Sequence, residues 1–87
     1  MSFEEDLKAV NELLDDIIND QSIPRNLRKS FIEAKKRLNN QKESADLRIA
    51  GAIFIMEEVV NDSTLPIHAR STIYNIIGKL EALSNEI

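Results

Sequence analysis

The sequence predicts an all-α domain, an antiparallel four-helix up-and-down bundle made from two copies of one helical hairpin. Three observations carry this expectation. Apolar residues recur at spacings of three and four in four separate stretches, which is the period of one helix face. The chain holds only two glycines and two prolines, and each proline stands where a periodic stretch begins. Residues 13–38 match residues 55–80 at an offset of 42.

The first stretch opens at Ser2 with Glu5 three residues on, the spacing of a capping box. Phe3, Leu7, Val10, Leu14 and Ile17 then share one face, widened by Leu13 and Ile18. Asn19-Asp20 ends the pattern. Pro24 starts the second stretch, since proline lacks an N–H that a first helical turn would leave unpaired. Its stripe is Leu27, Phe31, Ala34 and Leu38, closed by Asn39-Asn40-Gln41. Ser44 caps the third stretch, which runs to about Val60. Pro66 opens the fourth, with Ala69, Ile73, Ile76, Leu80, Leu83 and Ile87 as its stripe. The expected organisation is one domain, hairpin 1 over about 2–38 and hairpin 2 over about 44–84.

The repeat is most specific at the turns. Asn19-Asp20 with Ile23-Pro24 and Arg28 returns as Asn61-Asp62 with Leu65-Pro66 and Arg70. A 42-residue helix–turn–helix period is HEAT-like, but two such units are too few for an open solenoid. A closed bundle buries all four stripes. The third stretch differs from the first, because it is apolar nearly all round. Ile53 and Phe54 stand where Asn11 and Glu12 stand in hairpin 1. Either the third helix lies deeper in the monomer or it joins an interface between copies.

Composition removes several classes of function. There is no cysteine among the 87 residues, which excludes disulfides, thiolate metal sites and cysteine nucleophiles. The longest apolar run, Ala50 to Met56, is far short of the roughly 20 residues that span a bilayer. The acidic start lacks the features of a signal peptide. The expected setting is cytoplasmic, with no membrane partner. A net charge of −4 opposes nucleic-acid binding through bulk charge.

The turn from Asn61 to Arg70, then Ile73-Tyr74-Asn75 and Leu80-Glu81, together with Ile23-Pro24-Arg25-Asn26-Leu27-Arg28, resembles the archaeal family catalogued as uncharacterised protein family 0147. The likeness spans roughly residues 7 to 83. It departs at Ser63-Thr64-Leu65, where a Pro-Asn-Met type of turn is the expected form. The resemblance implies a four-helix bundle and an archaeal cytoplasm. It implies no reaction and supplies no catalytic residue.

Four groups of residues are candidates for function. Asp20, Pro24 and Arg28, with Asp62, Pro66 and Arg70, form either a polar binding surface or turn-stabilising Asp–Arg pairs, and each arginine can also bond the free carbonyls at the preceding helix end. Phe54, Ile55, Tyr74 and Ile32 are candidates for an apolar interface. Arg25, Lys29, Lys35 and Lys36 give helix 2 a basic face that could meet RNA or pair with acidic helix 1. Asp15-Asp16 and Glu57-Glu58 hint at a di-metal bundle, but such sites take Glu-x-x-His from two helices, and His68 is the sole histidine. Gly51 within a helix marks close approach by a neighbour. No cofactor, metal or catalytic group is expected. The leading expectation is a non-enzymatic, self-associating interaction protein, and the alternative is a small RNA- or ribosome-associated factor.

Overall fold

A computed structural model describes residues 3–87 as four helices: α1 (Phe3–Ile18), α2 (Arg25–Leu38), α3 (Ala45–Val60) and α4 (Ile67–Ser84). The capping box read at Ser2 lies outside the described residues. Each helix packs on its neighbours in sequence, and α4 also packs on α1. The diagonal pairs α1–α3 and α2–α4 have no Cα atoms within 8 Å of each other. The four helices therefore close into a ring around one core. A radius of gyration of 12.2 Å matches the roughly 12 Å of a compact chain this long.

Every fully buried residue among those described is apolar. Val10, Leu14 and Ile17 from α1 meet Leu27, Phe31, Ala34 and Leu38 from α2. Ile49, Ala52, Met56, Val59 and Val60 come from α3, and Ala69, Ile73, Ile76, Ile77, Leu80 and Leu83 from α4. The predicted stripes hold with one correction. Ile87 lies past the end of α4 and is exposed, and Ile77 takes the further core position. A spacing of four from Ile73 keeps Ile77 on the buried face, whereas helix geometry stops three residues short of Ile87.

The corners repeat more fully than the sequence pattern suggests. In the α1–α2 corner, Asp20 accepts the Ser22 N–H at 2.9 Å and the Ser22 hydroxyl at 2.6 Å. In the α3–α4 corner, Asp62 accepts the Thr64 N–H at 2.8 Å and its hydroxyl at 2.6 Å. The α2–α3 corner uses the same turn, with Asn40 accepting the Lys42 N–H at 3.1 Å. A short Asp or Asn side chain bonding the backbone two residues on is an Asx turn. In each corner a further bond closes the loop: Ile23 to Asp20, Glu43 to Asn40, and Leu65 to Asp62. Ile23 and Leu65 then plug the core from the turn itself.

The helix that follows starts in the same way each time. Pro24, Ser44 and Pro66 occupy the N-cap position, one residue ahead of the first helical residue, with extended ψ near 150° in each. Their carbonyls accept the N–H groups of Arg28, Arg48 and Arg70, all four residues on. The repeating unit is thus one helix plus one six-residue turn, used three times.

Candidate functional site

The expected Asp–Arg side-chain pairs do not form. Both carboxylates are occupied by the Ser22 and Thr64 turns. Two arginines, Arg48 and Arg70, instead reach back to carbonyls at or just past the preceding helix end. Arg48 Nε donates to the Leu38 carbonyl at 2.8 Å, and an Arg70 amino group donates to the Asp62 carbonyl at 3.3 Å. The Nε atoms of Arg28 and Arg70 are buried without a partner. Within the set, Asp20 and Asp62 bond the turns that follow them, Pro24 and Pro66 stand at the N-caps, and Arg70 bonds the Asp62 carbonyl.

His68 joins this architecture. Its Nε2 lies 2.9 Å from Asp20 Oδ2 and 3.2 Å from Ser22 Oγ, which ties the start of α4 to the α1–α2 corner. A Ser–His–Asp relay needs the serine and the carboxylate on opposite ring nitrogens. Here both contacts converge on one nitrogen, and the serine hydroxyl already donates to the aspartate. The cluster is a cross-link between elements. The Ser22 hydroxyl, then His68 and the Ser22 N–H, hold the Asp20 carboxyl down at about 2. The Thr64 hydroxyl and N–H depress Asp62 in the same way, and the Ser44 hydroxyl depresses Asp46.

Part of the basic face of α2 is paired with acidic side chains. Lys35 pairs with Asp15 of α1, Lys36 lies 3.9 Å from Glu33, and Arg37 pairs with Glu43 at 3.0 Å. Arg25 and Lys29 are exposed and make no ion pair among the described residues. Among the described residues no cluster of three or more acidic or histidine side chains could hold a metal. One member of the proposed carboxylate pair, Asp15, is spent on Lys35.

The apolar candidates divide. Ile55 is only partly exposed and packs against the core from the α2 side, in grooves lined by Leu27, Ser30 and Glu33. Helix rotation of about 100° per residue turns it away from its neighbour Phe54, so the two do not share one face of α3. Ile53 also packs on the core. Phe54 is 63% exposed, Tyr74 58% and Ile32 39%. Helix α3 is therefore not buried all round: Leu47, Ala50 and Phe54, at spacings of three and four, form an exposed stripe. Helix α4 presents Ile67, Tyr74 and Gly78 in the same manner.

The internal repeat supplies a control for this surface. Leu47, Ala50 and Phe54 occupy the places of Glu5, Lys8 and Glu12. Ile67, Tyr74 and Gly78 occupy those of Arg25, Ile32 and Lys36. All twelve positions are exposed. One hairpin thus carries charges at five of six outward positions, and the other carries none. Leu47, Ala50, Ile67 and Gly78 were missed as candidates, although comparing the halves position by position in the sequence finds them.

These features define a class: a small helical-ring protein whose corners are closed by repeated polar turns and whose second hairpin carries exposed apolar side chains. The chain belongs to the uncharacterised protein family UPF0147, whose family model matches residues 1–83. It is 43% identical over 72 residues to the UPF0147 protein Ta0600 of Thermoplasma acidophilum, covering 83% of this chain and 82% of the relative. It is 42% identical over 78 residues to the UPF0147 protein MJ1419 of Methanocaldococcus jannaschii, covering 90% and 84%. Two crystal structures share the fold. A UPF0147 family protein from Thermoplasma acidophilum matches with a TM-score of 0.89 at 40% identity, over 93% of this chain and 95% of the other. The protein of unknown function MMP1188 matches at 0.88 and 34% identity, over 92% and 91%.

Proposed function

We propose that this protein is a non-enzymatic helical interaction module that works by self-association. The observation that carries the reading is the exposure of Phe54, at 63%, amid other outward apolar residues of α3. Large exposed apolar side chains grouped on one surface mark interaction sites. The architecture behind this face is an antiparallel up-and-down bundle of two hairpins. Support comes from the side-chain bonds Lys35–Asp15 and Asn39–Asn11, in which four residues forward on α2 are four residues back on α1. The repeat length is HEAT-like, but contact between α1 and α4 favours a closed bundle over a solenoid. The cytoplasm is the proposed setting, one suited to a chain without cysteine.

RNA association through Arg25, Lys29, Lys35 and Lys36 is the weaker reading, because Lys35 and Lys36 already have acidic neighbours. Size-exclusion chromatography with light scattering and dual-wavelength absorbance separates the two. A nucleic-acid-free oligomer is the expected result. A monomer at every concentration would sink self-association, and a salt-released 260 nm component would transfer the proposal to the basic face.

A further inference from the structure

From the exposed apolar residues of hairpin 2 we infer that two copies of this chain join face to face, α3–α4 hairpin on α3–α4 hairpin, about a two-fold axis. The inference rests on the self-association reading and adds the surface, the stoichiometry and the symmetry.

The area is of the right order. Leu47 is 52% exposed, Phe54 63%, Ile67 81% and Tyr74 58%. Together they leave several hundred Å² in water, the scale of a functional patch and a substantial part of the roughly 800 Å² each partner gives a standard interface. Ala50 sits between Leu47 and Phe54 on the α3 stripe, and Gly78 lies one turn beyond Tyr74 on α4. Small residues at those places let the helices of a partner approach. Nothing lies within 4 Å of the position a Gly78 Cβ would take, so that space is open to a second copy.

Charge selects the partner surface. Each copy carries −4, so two copies meet at least cost through positions without charge; Leu47, Ala50 and Phe54 on α3 and Ile67, Tyr74 and Gly78 on α4 are such positions, bordered at the same helical spacing by the exposed Asp46, Glu57 and Glu81. The corresponding face of hairpin 1 presents Glu12, Lys8, Arg25 and Lys36. Seating hairpin 2 on that face would strip water from these groups without supplying partners. The apolar face therefore pairs with its own copy. An interface made from the same patch on both subunits is isologous and closes at two. The charged α1–α2 faces then point outward on both sides of the dimer.

Light scattering and single-cysteine cross-linking test this on the full chain. The wild type should elute as two chains. A Leu47→Glu/Phe54→Glu variant copies the residues of hairpin 1 at exposed positions, and should be a monomer with an unchanged helical circular dichroism spectrum. Ile32→Glu, on the other hairpin, should remain a dimer. Should the double variant unfold, Phe54→Ser replaces it. In this cysteine-free chain, Phe54→Cys should oxidise to a linked dimer much faster than Ile32→Cys. A wild-type dimer that survives the variants with no preference for cross-linking at residue 54 overturns the assigned face and leaves self-association standing. A wild type larger than two chains overturns the two-fold closure. A wild type that is monomeric throughout overturns both readings.

Discussion

Asp20 is the residue whose environment is most specific, and its protonation has a readable consequence. Its carboxyl is held at about 2 by the Ser22 hydroxyl and His68, below the 3.8 of an unperturbed aspartate. A depressed folded pKa contributes stability that is fully present above the unfolded value and is lost as pH falls through the folded one. The contribution should fade between about pH 4 and pH 2. Asp20→Asn should flatten that part of an acid-unfolding curve followed by circular dichroism; an unchanged slope would refute the assignment. The two glycines offer a second contrast. Gly78 is exposed with open space around it, so Gly78→Ala should stabilise the dilute monomer by about 1 kcal/mol and raise Tm by about 4–8 °C. A Cβ at Gly51 would sit 2.7 Å from Arg37 Nε and 2.8 Å from its Cγ. Arg37 would have to swing away from Glu43, giving up an exposed pair worth at most about 1 kcal/mol. That loss offsets the helix gain, so calorimetry should show a smaller Tm change for Gly51→Ala than for Gly78→Ala.

At the scale of elements, the two phenylalanines within α2 and α3 have opposite roles. Phe31 is fully buried, and Phe31→Ala should cost about 3–5 kcal/mol. Phe54→Ala should change the stability of the isolated monomer by no more than about 0.5 kcal/mol. Urea unfolding at low concentration measures both, and similar losses would contradict the placement of Phe54. Helices α1, α2 and α4 are legible because their stripes repeat at three and four, and Pro24 and Pro66 mark the starts of α2 and α4. The middle corner is placed by Asn39-Asn40-Gln41 and Ser44, but its likeness to the other two is masked, because Ser44 replaces proline and Glu43 replaces the apolar plug of Ile23 and Leu65. Yet Asn39-Asn40 and Arg48 keep the rest of its pattern. Of the two readings of the arginines, the bond to a preceding carbonyl forms at Arg70 and the Asp–Arg side-chain pair does not. Sequence spacing brings the residues together but does not say that Ser22 and Thr64 engage the carboxylates first. The outward turn of α3 was hidden because apolar residues on every side leave periodicity no face to mark.

At the scale of the whole molecule, the charge of −4 gives the dimer and the RNA readings opposite responses to salt. Screening weakens the repulsion between two acidic copies, so added salt should tighten the dimer. Contacts to phosphate would loosen instead. Sedimentation velocity across a salt series reads the sign directly, and dissociation on adding salt would count against the apolar face. The same scale explains what the sequence left open. A stripe of apolar residues looks alike whether it faces a core or water, and only closure of the ring assigns α3's second face to the outside.

Tyr74 is the sole tyrosine of a chain without tryptophan, and it stands on the outer face of α4. The molecule therefore carries a single built-in chromophore. Its ring is already mostly wet in the monomer, so its emission should respond weakly to denaturation of dilute protein. When the faces meet, its surroundings become drier and its tumbling slower. A concentration series of steady-state anisotropy, with no dye attached, would follow assembly while remaining nearly blind to folding.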